Sequence, residues 1–223
     1  AAPDELSTIA NVMPAPPMPF LPPEQHGTPI ILGMLAFAGP DEAAAAALKP
    51  FRALATPLAD MVKPGPYMQM FPPEPEGYRP TAVARTMLLN EVDTAAAATI
   101  LDFLARLEAP MQVCQLRVLG GAIARVPVEA TAYAHRPSPI MANLAAFYAG
   151  PGDRPEKARW VEQFATALFQ GETGAYVNFV GDEGEQRVRA AYPGRTWDRL
   201  ARIKAAVDPE NLFRRNQNIP PAA

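Results

Sequence analysis

Six stretches of the chain combine apolar runs rich in β-branched residues with alternating inside and outside positions, the two-residue period of a strand. They are residues 6–13, 30–37, 82–90, 111–119, 140–148 and 175–180. Between and after them the apolar spacing becomes that of a helix. From Asp93, an N-cap, the chain places Ile100, Phe103, Leu104 and Leu107 at i, i+3, i+4 and i+7, one buried stripe. A second helix carries Pro155 in its first turn, buries Trp160, Phe164 and Leu168, and stops at Gly171. Residues 183–192 and 197–207 predict two shorter helices. The latter should bury Trp197, Leu200, Ile203 and Val207 and end at Asp208-Pro209. The alanine-rich residues 41–54 read as helix, broken near Pro50.

Many of the 27 prolines fall within residues 14–29 and 64–80, which must therefore be loops. The resulting order of elements predicts an α+β fold: an antiparallel β-sheet covered on one face by helices, with a helical segment at the C-terminal end. A doubly wound parallel sheet fits less well. The glycine-rich phosphate loops of dinucleotide folds are absent, since Gly120-Gly121 stands alone.

Composition narrows the choice of partners. With 49% hydrophobic residues over 223 positions the chain can bury a large core. A formal net charge of −3 with the signs interspersed argues against a nucleic-acid partner. No apolar run reaches the length of about 18 residues needed to cross a membrane, and no signal-peptide pattern occurs, so a soluble, cytoplasmic protein is expected. The first Met is Met13, which suggests a start made by processing or proteolysis. The single cysteine, Cys114, lies in an apolar run and is expected to be a buried, inert thiol. His26 and His135 are far apart and no second ligand set accompanies them, so no metal is predicted. Asp182, Glu183 and Glu185 open a helix, where they favour its dipole.

The chemistry centres on Gly174-Ala-Tyr-Val-Asn-Phe-Val180. As a strand, it would send Ala175, Val177 and Phe179 to one face and Tyr176 with Asn178 to the other. A phenol and an amide side by side suit either a half-buried surface strand or a reaction site. An ordinary phenol, with a pKa near about 10, serves as a base at neutral pH only when cationic or hydrogen-bonding neighbours lower that value.

The tail favours the reaction site. Tyr176 and Asn178 are followed by Arg199-Leu200 and Lys204, then Asp208, Pro209, Asn211 and Phe213, then Gln217, Ile219 and Pro220. Upstream stand Leu116-Arg-Val-Leu-Gly-Gly121 and Thr131-Ala-Tyr-Ala-His-Arg136. This order and spacing resembles the berberine-bridge-enzyme-like flavoproteins, within the vanillyl-alcohol-oxidase type of FAD-linked oxidases. The similarity runs from about residue 30 onward and is strongest after Gly120.

The resemblance implies a division into a substrate-binding α+β domain, residues 1–173, and a C-terminal berberine-bridge-like segment, residues 174–223, with the FAD-binding domain absent. It implies that Tyr176 acts as general base on, or orients, a substrate hydroxyl. Asn143 would face the substrate where relatives carry a Gln or an acid, and by alternation it shares its strand face with Met141 and Phe147. Asn178, Gly120, Gly121 and Gln217 would contact the FAD, with Asn178 at the ring edge. The implied partners are a small-molecule substrate, the FAD domain and, over an exposed former interface, a second copy of the chain. The tail, with Leu212, Phe213 and Ile219, would return against the FAD domain.

Two readings follow. One is the substrate half of an FAD-dependent oxidoreductase acting on an alcohol, sugar or secondary-metabolite carbon, inert without the FAD domain. The other is a non-catalytic interaction or oligomerisation module that kept the fold. A weaker third is an unrelated α+β barrel for small apolar molecules. Retention of Tyr176, Asn178 and the Gln217-x-Ile-Pro end argues for the first.

Overall fold

Alternation in the first five strand segments resolves into a single antiparallel sheet. A computed structural model describes residues 2–71, 76–77, 79–181 and 183–222. In chain order the elements are β1 (Leu6–Pro14), β2 (Pro29–Phe37), α1 (Asp41–Arg52), β3 (Thr81–Leu89), α2 (Thr94–Ala105), β4 (Gln112–Val118), α3 (Ala122–Arg125), β5 (Ile140–Tyr148), α4 (Arg154–Leu168), α5 (Glu185–Ala191) and α6 (Arg195–Val207). The strands lie in the order β2-β1-β4-β5-β3, every neighbouring pair antiparallel. The fold is α+β, as the sequence pattern predicts.

One face of the sheet makes the core. Val12 pairs with Cys114 and Cys114 with Leu144, so these three point the same way, and Met87 and Ala142 pair on that face as well. Against them pack Ile100 and Leu104 of α2 and Trp160, Val161, Phe164 and Leu168 of α4. The Phe164 ring is fully buried and stacks on Phe103 with ring centroids 4.8 Å apart. Burying such a ring stabilises by roughly 1.5–3 kcal/mol. Trp160 joins edge-on, and its indole N–H donates to the Phe103 carbonyl at 3.0 Å. Asp93 caps α2 by accepting from the Ala96 N–H at 2.7 Å. A second, smaller cluster forms downstream from Ala175, Val180, Val188, Ala191 and Trp197, with Ile219 packed against it.

Several details differ from the sequence pattern. Helix α1 continues through Pro50 to Arg52 instead of breaking. Helix α5 begins at Glu185 rather than at residue 183, and Asp182 lies outside the described residues, as does part of the 64–80 loop. In α6 the buried side is Trp197 and Ala201, continuing through half-buried Lys204 to Asp208, while Ile203 and Val207 face solvent. An ion pair took the inner face there: Lys204 Nζ bonds the Asp208 carboxylate and the Phe213 carbonyl.

The largest correction concerns residues 175–180, which are not a strand. Val177–Phe179 form one 3-10 turn, with Phe179 N–H donating to the Tyr176 carbonyl at 2.9 Å and Val180 N–H to Val177 at 3.1 Å. The strict alternation expected for these residues is therefore lost, and Phe179 is not opposed to Tyr176.

Candidate functional site

The face of the sheet turned away from α2 and α4 is polar across its middle. Asn11 pairs with Gln115, Gln115 with Asn143, and Asn143 with Thr86, so one row crosses four strands. The row is cross-linked. Asn11 donates its amide to the Leu32 carbonyl of β2 at 3.1 Å and accepts from the Gln115 amide at 2.7 Å. Gln115 in turn accepts from Arg117 Nε at 2.8 Å. Two residues further along the same strand face, the Arg117 guanidinium lies 4.5 Å from the centre of the Phe179 ring. Asn143, half-buried, sits between Gln115 and Thr86 on this face, with Met141 and Ala145 as its neighbours of the same parity.

The turn that carries Tyr176 is fastened over this row by side chains distant in sequence. Arg187 of α5 donates to the carbonyls of Thr173 at 3.0 Å, Gly174 at 3.3 Å and Thr86 at 2.5 Å. Thr86 then donates its hydroxyl to the Phe179 carbonyl at 3.2 Å, and the Gln217 amide donates to the Val180 carbonyl. With the carbonyls of Gly174, Phe179 and Val180 taken by side chains, residues 174–180 turn instead of joining the sheet.

The turn still brings Tyr176 and Asn178 together. The Asn178 amide donates to the Tyr176 hydroxyl oxygen at 2.7 Å. That leaves the phenol one donor proton and one acceptor position for a ligand. Tyr133 meets Tyr176 edge-on at 5.5 Å, Phe179 lies 5.8 Å from Tyr176, and Arg136 stacks on Tyr133 at 4.9 Å. Burial pushes the Tyr133 and Tyr192 phenols above their ordinary values. Burial likewise lowers Arg117, with the nearby Tyr176 oxygen acting in the opposite sense. His135 is half-buried beneath the turn, its buried Nε2 without a hydrogen-bond partner among the described residues, and burial pushes its imidazole below the ordinary value. Gly174 allows this packing, since a Cβ there would come within 2.5 Å of the His135 ring and 2.8 Å of Leu88.

Of the residues singled out in the sequence, Tyr176, Asn178 and Asn143 gather on this one face. Gly120 and Gly121 lie two and three residues beyond Val118, the end of β4, and Gly121 has φ +62°, a conformation that favours glycine. Gln217 reaches the site from behind, as a brace on Val180. In the tail, Ile219 packs within the chain's own second cluster, whereas Leu212 and Phe213 are exposed. Sequence reasoning passed over Arg117, Gln115, Thr86, Phe179 and Arg187. For Gln115, Arg117 and Thr86 the signal was a polar residue at alternate positions of otherwise apolar strands, whereas Phe179 on its turn and Arg187 on α5 gave none. A cavity of about 540 Å³ lies elsewhere, between the proline-rich loop at Pro16 and the α2–β4 connection at Leu107, Pro110 and Gln112. None of the candidate residues lines it; with Tyr176, Phe179 and Asn143 half-buried and Asn178 exposed, the site is a shelf.

Residues 175–220 match the berberine and berberine-like family. An uncharacterized FAD-linked oxidoreductase of Bacillus subtilis strain 168, YgaK, is 33% identical over 191 residues, 83% of this chain and 42% of that protein. The chain carries a domain of the berberine and berberine-like family and is similar to FAD-linked oxidoreductases. Its fold is that of the family's solved members. A glycopeptide hexose oxidase in complex with teicoplanin superposes with a TM-score of 0.75 at 18% identity, over 97% of this chain and 47% of that one. Xylooligosaccharide oxidase from Myceliophthora thermophila C1 in complex with xylobiose gives 0.68 at 19% identity, over 99% and 49%. The berberine-like chain thus spans about half the length of the relatives it matches.

Relatives including YgaK and sorD of Penicillium rubens are named FAD-linked oxidoreductases, and the shelf has features that suit a flavin edge. Gly120 has open space where a Cβ would stand, and the Asn178 amide is exposed beside Tyr176. Gln217 suits that role less, because its amide nitrogen is already bonded within the chain.

Proposed function

We propose that this chain supplies the substrate face of an FAD-dependent oxidoreductase that oxidises a hydroxyl-bearing carbon of a small molecule, a sugar or related alcohol. The observation that carries the reading is the Asn178-to-Tyr176 hydrogen bond, which holds the phenol oxygen over a polar sheet row with one acceptor position to spare. Asn178, Gly120 and Gly121 would border the flavin. When bound, the flavin supplies the two-electron acceptor. Tyr176 acts in its phenolate form, with the Asn178 amide donating to its oxygen, and takes the proton of the substrate hydroxyl to become the neutral phenol. Asn143 orients that hydroxyl from below as donor or acceptor, and the rings of Tyr133 and Phe179 exclude water from one side.

The test is made on the protein assembled with its flavin-binding half. Tyr176→Phe removes one hydroxyl, so folding and flavin content should survive. The rate of anaerobic flavin reduction by substrate should drop about a hundredfold to ten-thousandfold. Reduction at the wild-type rate would remove Tyr176 as the base.

A further inference from the structure

Among the described residues Arg117 pairs with no carboxylate. Its guanidinium makes one hydrogen bond with them, from Nε to the neutral Gln115 amide. One of its faces is covered by Phe179. It is half-buried, on the same strand face as Gln115, opposite Met141 and diagonal to Asn143. Arg136 adds to the same field. It stacks on Tyr133 and spends its donors on the Tyr133 and Ile123 carbonyls and the Thr131 hydroxyl, again with no acid among its partners. The ring cluster of Tyr133, Tyr176 and Phe179 is thus flanked by two cations that pair with no carboxylate among the described residues.

A desolvated guanidinium is costly unless an anion completes it. With Nε held by Gln115, the two Nη groups remain as the fork that binds a planar carboxylate by two parallel hydrogen bonds. We propose that Arg117 is a substrate-recognition residue that binds a carboxylate on the substrate, so that the chain's substrates are hydroxy acids such as sugar acids rather than neutral alcohols. This deepens the reading of the shelf as a substrate face and rests on it. Gln115 and Asn11 act behind Arg117, fixing the plane of the fork from two strands away.

Binding by the 223-residue chain tests this without any turnover, and so apart from the fate of Tyr176 as a base. Benzoate and benzamide are near-isosteric probes that differ in charge, and calorimetric titration gives their affinities. Arginine side-chain NMR reads the Arg117 Nε–H directly. Benzoate should bind with saturation and shift that resonance. Benzamide should bind about tenfold or more weaker, and Arg117→Gln should weaken benzoate by about tenfold or more while leaving benzamide unchanged. Arg117→Lys, which keeps the charge and loses the fork, should fall between. Equal affinities for the two probes, an unmoved Arg117 resonance, or full benzoate binding by Arg117→Gln would each overturn the proposal. Should Arg117→Gln fail to fold, the probe comparison and the resonance in the wild-type chain still decide it.

Discussion

Gly174 shows how much of the shelf depends on a single missing atom. A methyl group there would meet the His135 ring and Leu88 at distances no van der Waals contact tolerates, and Leu88 is itself fully buried. Gly174→Ala should therefore destabilise the chain by about 1–3 kcal/mol, read as a lower urea midpoint, and should shift the His135 ring resonances. An unchanged midpoint would mean that the ring has room to swing aside. This requirement could not be seen beforehand, because the colliding residues come from elsewhere in the chain. Arg117 is the opposite case. Parity along β4 put it on the polar face together with Gln115, and that much was legible from alternation. What alternation cannot display is that it pairs with no carboxylate among the described residues, which is a property of the assembled surface.

Elements were legible where their own residues decide them. Strands β1, β3, β4 and β5 alternate because one side packs into the helix-covered core and the other carries the polar row, and β5 begins and ends where the pattern says it should. The segment after Gly174 alternates as well, yet its carbonyls are captured by Arg187, Thr86 and Gln217, and a local pattern carries no trace of such distant donors. Helix α6 failed by a related route, since a charged pair displaced its expected apolar stripe. Asp208 is the centre of that arrangement, accepting from Lys204 and from the Leu212 and Phe213 amides at 2.8 and 3.0 Å. Lys204 first, and then these amides, hold its carboxyl below the ordinary value of 3.8. A carboxylate depressed in the folded state contributes stability that is complete above 3.8 and is lost as pH falls through the folded value. Asp208→Asn should thus be less stable at neutral pH and should flatten the acid limb of stability in urea titrations run across that window. Parallel acid limbs for the two proteins would contradict the assignment.

Across the whole molecule, the chain's one thiol reports on the main core. Cys114 is fully buried between Val12 and Leu144, and burial pushes its pKa up to about 12. At neutral pH alkylation should require the sheet to open, so the labelling rate should fall and rise with the global unfolding equilibrium as urea is varied. Fast labelling in the absence of denaturant would place a local opening in the middle of β4. The smaller cluster around Trp197 has no such reporter. The two clusters meet the sheet on different sides, the main one under its apolar face and the other behind the turn that bears Tyr176.

Within β1, β4 and β5, successive residues serve different masters. Val12, Cys114 and Leu144 belong to the core, while their immediate neighbours Asn11, Gln115 and Asn143 belong to the shelf. A substitution at position 11, 115, 117 or 143 leaves the packing beneath it intact, because the side chain it alters never enters that packing. Descendants of this chain can therefore change what they recognise one residue at a time while inheriting the same interior. The limit on that freedom is register: a slip of one residue in any of these strands would drive the amides inward and the aliphatics out.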